Sequence, residues 1–348
     1  MGYSSETDPI FHPNAFHLSV KYDSMAEIAS PILHINPHLR MLDPRRDLLP
    51  VADLIETCFA ATMDPDGREY LHQMRQAARD ESLLPWNTGL GMSGYVWEED
   101  GILVGNLTLI PMFKQNKRVY LIANVAVLPK YRRRGIARQL TDAALRHAQR
   151  NGAASAWLQV RVENQPAIQL YQSMGFVERA VRTNWFYAPY THSDLKEPGI
   201  SVSYRRQSDW SWQYDWLKAV YPEEVAWNLP VNFHRLRPTL MNNLYRFLWS
   251  DHTENLAARD HHGPIGMITW DPSRAYADAL WLATLPENEE RAIRSLLPAI
   301  RKTVPSHRPL VLNYPARRAE KAFQEAGMVV QQSLIWMEKP FDTQQIHA

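Results

Sequence analysis

Asn124-Val125-Ala126-Val127-Leu128-Pro129-Lys130-Tyr131-Arg132-Arg133-Arg134-Gly135-Ile136-Ala137 is the stretch whose reading decides the fold. The apolar run 120–128 stops at Pro129 and reads as a buried strand. A basic turn follows, and Gly135 opens an amphipathic helix, 135–150, that ends at the capping pair Asn151-Gly152. The first turn of a helix carries free N–H groups and the positive end of the dipole, so it can hold phosphate oxygens. Gly135 has no side chain to stand between backbone and ligand. Arg132, Arg133 and Arg134 add positive charge. The chemical reading is a pyrophosphate cradle. The plain reading, a solvated basic helix start, is left open by this segment alone.

Downstream, a strand at 156–162 is followed by Asn164-Gln165-Pro166-Ala167-Ile168-Gln169-Leu170-Tyr171-Gln172-Ser173-Met174-Gly175-Phe176. That segment reads as a short helix, 166–174, closed by Gly175, with a strand at 176–187 completing the sheet. Taken in order, the two quoted segments resemble the GNAT acetyltransferase superfamily. Its central pattern, (Arg or Gln)-x-x-Gly-x-(Gly or Ala), is met at Arg132, Gly135 and Ala137. Its second, Asn-x-x-Ala-x-x-Leu-Tyr-x-x-x-Gly-Phe, is met at Asn164, Ala167, Leu170, Tyr171, Gly175 and Phe176. The resemblance is specific over 121–187. Over 38–111 it rests on element order: a short strand at Leu39 to Met41 ending in the turn Asp43-Pro44, helices at 49–59 and 69–84, and strands at 94–99 and 102–111 joined by Glu99-Asp100-Gly101.

The resemblance implies an α/β fold with a mixed, mainly antiparallel sheet flanked by helices, and acetyl-CoA or another acyl-CoA as co-substrate without a metal. It implies that the strand before the phosphate loop bulges and splays from its neighbour. Pantetheine would bond like an extra strand to the backbone of Val125, Ala126 and Val127, where an N–H would polarise the thioester carbonyl. Arg132, Arg133, Arg134, Gly135, Ile136 and Ala137 would form the phosphate cradle. Asn164 would bond the pantetheine arm, cap its helix, or do both. Tyr171 would protonate the departing thiolate, a phenol near ~10 facing a thiol near ~8.5, unless it is only a half-buried aromatic. The base stays open. The run from Gln159 to Tyr187 looks like the ribosomal-protein N-terminal acetyltransferases, which carry a glutamate twelve residues before the tyrosine; Gln159 stands there instead, and an amide is no base. Glu163 reads as a solvated strand end, and Asp64 and Asp66 as turn residues around Pro65-Gly67, in the loop where this superfamily often builds its acceptor site. The expected activity is acyl transfer to an amine of a small molecule or peptide. A non-catalytic acyl-CoA-binding regulatory protein and a protein N-terminal acetyltransferase are the alternatives.

The order strand-Pro-helix-strand-helix-Gly-strand occurs twice, over 120–187 and over 279–338. Leu128-Pro129 answers Leu285-Pro286, and Gly175-Phe176 answers Gly327-Met328. The expected organisation is an arm at 1–35, interrupted by Pro9, Pro13 and Pro31, a GNAT-like domain at 36–192 and a degenerate one at 199–340, parted by the polar stretch 191–199. In the second copy, strands are expected at 200–206, 256–259, 265–270, 279–285, 309–314 and 328–339, and helices at 209–221, 287–303 and 316–326. Aligning the two copies sets Glu289 against Arg132, Ala292 against Gly135 and Phe323 against Tyr171. Cradle and acid are both lost there. One acyl-CoA per chain is expected, with the second copy shaping the acceptor pocket or a homodimer contact.

A length of 348 residues suits two domains at about 150 each. With 45% apolar and 22% charged residues the composition is that of an ordinary globular protein. The net charge of +1, without acidic or basic blocks, gives no footprint for nucleic acid. Cys58, the single cysteine, excludes a disulfide within the chain and is expected on a core-facing helix stripe. No leader or long apolar span is read, so no membrane is implied and a cytoplasmic location is expected. Gly89-x-Gly91-x-x-Gly94 precedes a strand, whereas a dinucleotide fingerprint follows one. His261-His262 on a hairpin tip, and His12 and His17 in the arm, lack a matching ligand pair. Trp212 and Trp216 are expected to pack inward from a capped helix that starts at Asp209.

Overall fold

The computed structural model describes residues 36–79, 93–231, 233–238, 253–273 and 275–341. The arm with His12 and His17, the tail of the second expected helix at 80–84, and Gly89 and Gly91 lie outside the described residues. The first half contains β1 (Leu39–Met41), α1 (Pro44–Phe59), α2 (Pro65–Arg79), β2 (Gly94–Glu99), β3 (Ile102–Lys114), β4 (Lys117–Val127), α3 (Ile136–Arg150), β5 (Ser155–Arg161), α4 (Gln165–Ser173) and β6 (Val177–Tyr187). The second contains β7 (Ser201–Tyr204), α5 (Trp210–Val220), α6 (Glu223–Ala226), β8 (Glu254–Asp260), β9 (Gly263–Asp271), β10 (Asp278–Thr284), α7 (Glu289–Thr303), β11 (Leu310–Pro315), α8 (Glu320–Glu325) and β12 (Val329–Pro340).

Local chemistry explains where the elements depart from expectation. Helix α1 starts at Pro44 because the Asp43 carboxylate accepts the Arg45 N–H at 3.0 Å, and a proline at the first helical position gives up no bonded N–H. Asp43-Pro44 is thus a helix start, not a turn. Helix α8 covers Glu320–Glu325 rather than 316–326, because Arg317 and Ala319 take left-handed φ values of 62° and 48°. In α5 the buried residues are Gln213, Leu217 and Val220. Trp212 is 48% exposed, so the aromatic stripe does not all point inward.

All strands join one twelve-stranded sheet, in the order β1-β2-β3-β4-β5-β12-β6-β11-β10-β9-β8-β7. Only β4–β5 and β10–β11 are parallel. The expectation that 176–187 completes the first sheet is corrected here. β12, from the second half, lies between β5 and β6, while β6 goes on to pair with β11. The cores follow the strands. Ile335 and Met337 of β12 belong to the cluster built on α3, β4 and β5. Trp185 and Tyr187 of β6 belong to the cluster built on α7 and β9–β11, where Trp185 stacks on Phe323 at 4.6 Å. The register shows a local two-fold. The shift that carries Gly175 onto Gly327 also carries Arg182 onto Leu334, and those two face each other across β6 and β12, flanked by Thr183–Ser333 and Val181–Ile335.

Candidate active site

β4 pairs with β5 only from Val119 to Ile122, whose partner is Leu158. Beyond it β4 runs on to Val127 and β5 to Arg161 without pairing each other, so a wedge opens between them. A bulge turns β4 away. Asn106 faces Ala126 and Thr108 faces Ala123, leaving Asn124 and Val125 opposite Leu107 alone. Asn124 takes φ 50°, a conformation asparagine tolerates better than a β-branched residue. The fully buried Asn106 holds the bulge by donating from Nδ2 to the Asn124 carbonyl at 3.1 Å.

At the end of β4, Pro129–Tyr131 forms a single 3-10 turn and Gly135 caps α3 with φ 78° and no side-chain bond to the helix start. A Cβ at Gly135 would meet no atom within 4 Å. The glycine is therefore required by its left-handed backbone, and the space over the helix N-terminus is open. The three arginines differ. Arg132 folds back and donates from Nε to the Val127 carbonyl at 3.0 Å. Arg134 pairs with Glu99 at 3.3 Å and lies over the Tyr131 ring. Arg133 has φ 65° and is exposed. The Ile136 side chain is buried in the core and Ala137 is half-buried, which leaves their backbone facing the loop.

Tyr171 projects from α4 into the same core as Leu158 and Val160, with its ring edge-on to Phe176 at 5.7 Å. Burial pushes its phenol well above the ordinary tyrosine range. Among the described residues its hydroxyl has no hydrogen-bond partner. Asn164 caps α4, its Oδ1 accepting the Ala167 N–H at 3.3 Å. Gln159 lies on the face of β5 opposite Leu158 and Val160, and its Nε2 is buried without a partner among the described residues. Glu163 is exposed. Asp64 accepts from the Gly67 N–H at 2.8 Å and from Gln331 Nε2 at 3.4 Å, and Asp66 from the Tyr276 N–H at 2.8 Å. Asp64 precedes α2 and Asp66 lies in its first turn rather than in a free turn, and each also ties this region to the second half. Cys58 is only half-buried, not core. Its Sγ stands 3.5 Å from the Val127 carbonyl, at the mouth of the wedge. Burial raises its thiol above the usual range.

Residues 54–176 match the model of the acetyltransferase (GNAT) family. The first half carries a GNAT acetyltransferase domain. Within it, 80 residues are 41% identical to the [ribosomal protein bS18]-alanine N-acetyltransferase of Escherichia coli strain K12, covering 23% of this chain and 51% of that protein. A stretch of 104 residues is 34% identical to an N-alpha-acetyltransferase of Sulfurisphaera tokodaii, covering 26% of this chain and 60% of the relative. The chain thus spans about half the length of the first curated relatives it matches. A GCN5-related N-acetyltransferase from Sphaerobacter thermophilus superposes on 87% of this chain and 96% of its own, with TM-score 0.55 and 15% identity. That share takes in both halves, so the GNAT-type fold runs through the whole described chain.

In the second half β10 and β11 also part, pairing only over Asp278–Leu280, but the bulge and the open helix start are missing. β9 and β10 keep an unbroken register, without a bulge. The Glu289 carboxylate at the start of α7 accepts from Tyr314 Oη at 3.0 Å and pairs with Arg318 at 2.6 Å. An internal carboxylate thus occupies the helix start where the first half is open. Among the described residues no group of three His, Cys, Asp or Glu side chains is placed to hold a metal, and no helix is long and apolar enough to cross a membrane. His261 and His262 sit on the β8–β9 tip, His262 donating its N–H to Asp260. Sequence reasoning assigned no role to Arg161, Thr62 and Trp227, which lie on or against the Gln159 face of β5. Arg161 was legible only as the residue two past Gln159. The other two arrive there through tertiary packing.

Proposed function

We propose that this protein is an acetyl-CoA-dependent N-acyltransferase with one acyl-CoA site per chain, in the wedge between β4 and β5. The observation that carries the reading is the bulged end of β4, parted from β5 and running straight into an open, glycine-started helix. A thioester supplies an activated acyl carbon. The backbone of Val125, Ala126 and Val127 would bond the pantetheine arm. The N–H groups of Gly135, Ile136 and Ala137, with Arg133 and Arg132, would hold the pyrophosphate. Arg132 would exchange its contact with the Val127 carbonyl for a phosphate, and Arg134 would keep Tyr131 in place. Asn164 is committed as a helix cap and would order the loop rather than grip the ligand.

The amine nitrogen attacks the acyl carbon, the carbon–sulfur bond breaks, and the thiolate takes up a proton as the amine gives one up. Tyr171 keeps its proton because of its burial. Its hydroxyl is suited to donate a hydrogen bond to the developing thiolate, a positioned donor where charge appears. Among the described residues no carboxylate is placed beside Gln159 to act as base, so the amine would lose its proton to water. This favours acceptors that are weakly basic or already neutral over a lysine amine near ~10.4. The match to bS18-alanine N-acetyltransferases supports an N-acetyltransferase in general terms, while Gln159 argues against carrying their acceptor over. Calorimetric titration with acetyl-CoA, followed by CoA release over a panel of amines and peptides, tests the proposal. Absence of binding would overturn it.

A further inference from the structure

The acyl carbon must be approached from the face of the wedge that the acyl-CoA side does not fill. Tyr171, Leu158 and Val160 share one face of β5. Side chains alternate along a strand, so Trp157, Gln159 and Arg161 point to the other. Along that face the covering changes owner. Trp157 lies under Trp227 of the second half, with ring centroids 5.3 Å apart. Arg161 donates to the Thr62 carbonyl of the first half at 3.0 Å. Gln159 lies between them on that face, and β12 continues it with Trp336 beside Gln159 and Leu334 beside Arg161.

This face carries more donors than free acceptors: its carboxylate, Glu338 of β12 across from Trp157, is paired with Arg179 at 2.7 Å. Arg161 is half-buried, and its only hydrogen bond among the described residues goes to a backbone carbonyl. On the same face one strand beyond β12, Arg182 is buried and, among the described residues, bonded only to Asn313 and the Val220 carbonyl. Lys114 stands over the Trp157 ring at 4.3 Å. None of these three cations has a carboxylate partner among the described residues. Trp336 Nε1, which can only donate, is buried without a partner among the described residues. The nearby carboxylates of Asp64 and Asp66 are bonded to Gln331 and the Tyr276 N–H.

The geometry points to an acceptor that carries a carboxylate close to its amine, the carboxylate being met by the half-buried Arg161 at the end of this face of β5. The inference rests on the N-acyltransferase reading. Two residues along a strand span about 7 Å, so an anion at Arg161 leaves an amine a few bonds away at Gln159, where β4 and β5 part. Arg161 is a binding residue and does no chemistry. Its guanidinium can take the carboxylate with two parallel hydrogen bonds, which lysine cannot copy.

The test pairs amines that differ only in charge: glycine, β-alanine, glutamate and 4-aminobenzoate, each against its carboxamide, with acetyl-CoA and the full chain. The carboxylates are expected to be the better acceptors. Arg161→Gln is expected to raise their KM by about 10- to 100-fold, the loss of one charge-assisted pair, with a smaller change in kcat and a smaller effect on the carboxamides. Arg161→Lys is expected to recover part of that loss. Unchanged acetyl-CoA affinity in each variant shows that the fold and the wedge are intact. Preference of the wild type for carboxamides, no turnover of any carboxylate, or an equal effect of Arg161→Gln on both series would overturn the inference. A wild type that fails to bind acetyl-CoA would sink the underlying reading instead.

Discussion

Tyr171 and Gly135 separate what a residue contributes by chemistry from what it contributes by conformation. The Tyr171 phenol is held neutral by burial, its pKa raised, so it remains a donor across any ordinary assay pH. Replacing it with phenylalanine keeps the packing on Phe176 and removes only the donor. Turnover is expected to fall ~10²–10⁴-fold, with acetyl-CoA affinity nearly unchanged. Single-turnover kinetics with calorimetry checks both, and wild-type chemistry would remove Tyr171 from the mechanism. Because its pKa lies above the ordinary value, no basic limb of the kcat profile below pH 10 is expected to disappear in Tyr171→Phe. At Gly135 two effects compete. Gly135→Ala places a Cβ in open space and pays only for a left-handed backbone, roughly 1–2 kcal/mol. It is expected to lower the melting temperature while still binding acyl-CoA. Gly135→Glu bears the same strain and adds a carboxylate over the helix start, so binding is expected to vanish in a folded protein. Equal affinities in the two variants would show that phosphate does not sit there.

At the level of elements, the bulge in β4 connects sequence to site. Asn124 at φ 50° must adopt a conformation that glycine accepts and valine does not. Asn124→Gly is expected to keep acetyl-CoA affinity within a few-fold. Asn124→Val is expected to straighten β4, narrow the wedge and weaken binding at least tenfold, about 1.4 kcal/mol. Titration of both variants decides this, and equal behaviour would show that the bulge plays no part in binding. The order and kind of most elements were legible because their signals are local. Pro129 stops a strand, Gly135 starts a helix, and Gly175 and Gly327 each close one. The exchange of β6 and β12 was not legible. An alternating strand reads the same whichever neighbour it pairs with, and the register is set by contacts such as Trp185 on Phe323 that lie far apart in the chain. The residues of the expected cradle lie on one loop, but the separate contacts of Arg132 and Arg134 depended on Val127 and Glu99, one on a strand end and one on a hairpin. Cys58 was misplaced for a related reason: its helix face looks apolar, yet it abuts the wedge rather than the core.

Across the whole molecule, each half finishes the other. A fragment ending at residue 199 keeps the GNAT motifs but leaves β5 without β12 and removes Ile335 and Met337 from the core. It is expected to aggregate alone and to be recovered in soluble form when residues 200–341 are coexpressed. Co-purification and far-UV circular dichroism check this, and a folded, acetyl-CoA-binding fragment would show the exchange to be dispensable. The internal Glu289–Arg318 pair likewise predicts a titration that saturates at one acetyl-CoA per chain. Two sites, one of them surviving Gly135→Glu, would contradict it. The exchange also sets a clock on biosynthesis. β12 follows β5 by roughly 170 residues, so at ~5–20 residues per second it leaves the ribosome about ten to thirty seconds later. Throughout that interval a nascent chain already bears the Arg132-to-Ala137 loop and Tyr171, yet the β5 edge lies bare, open to chaperones and to the edges of neighbouring nascent chains. Acyl transfer would then begin only once translation has passed β12, so a stalled or prematurely terminated message would yield no rogue acetylating fragment.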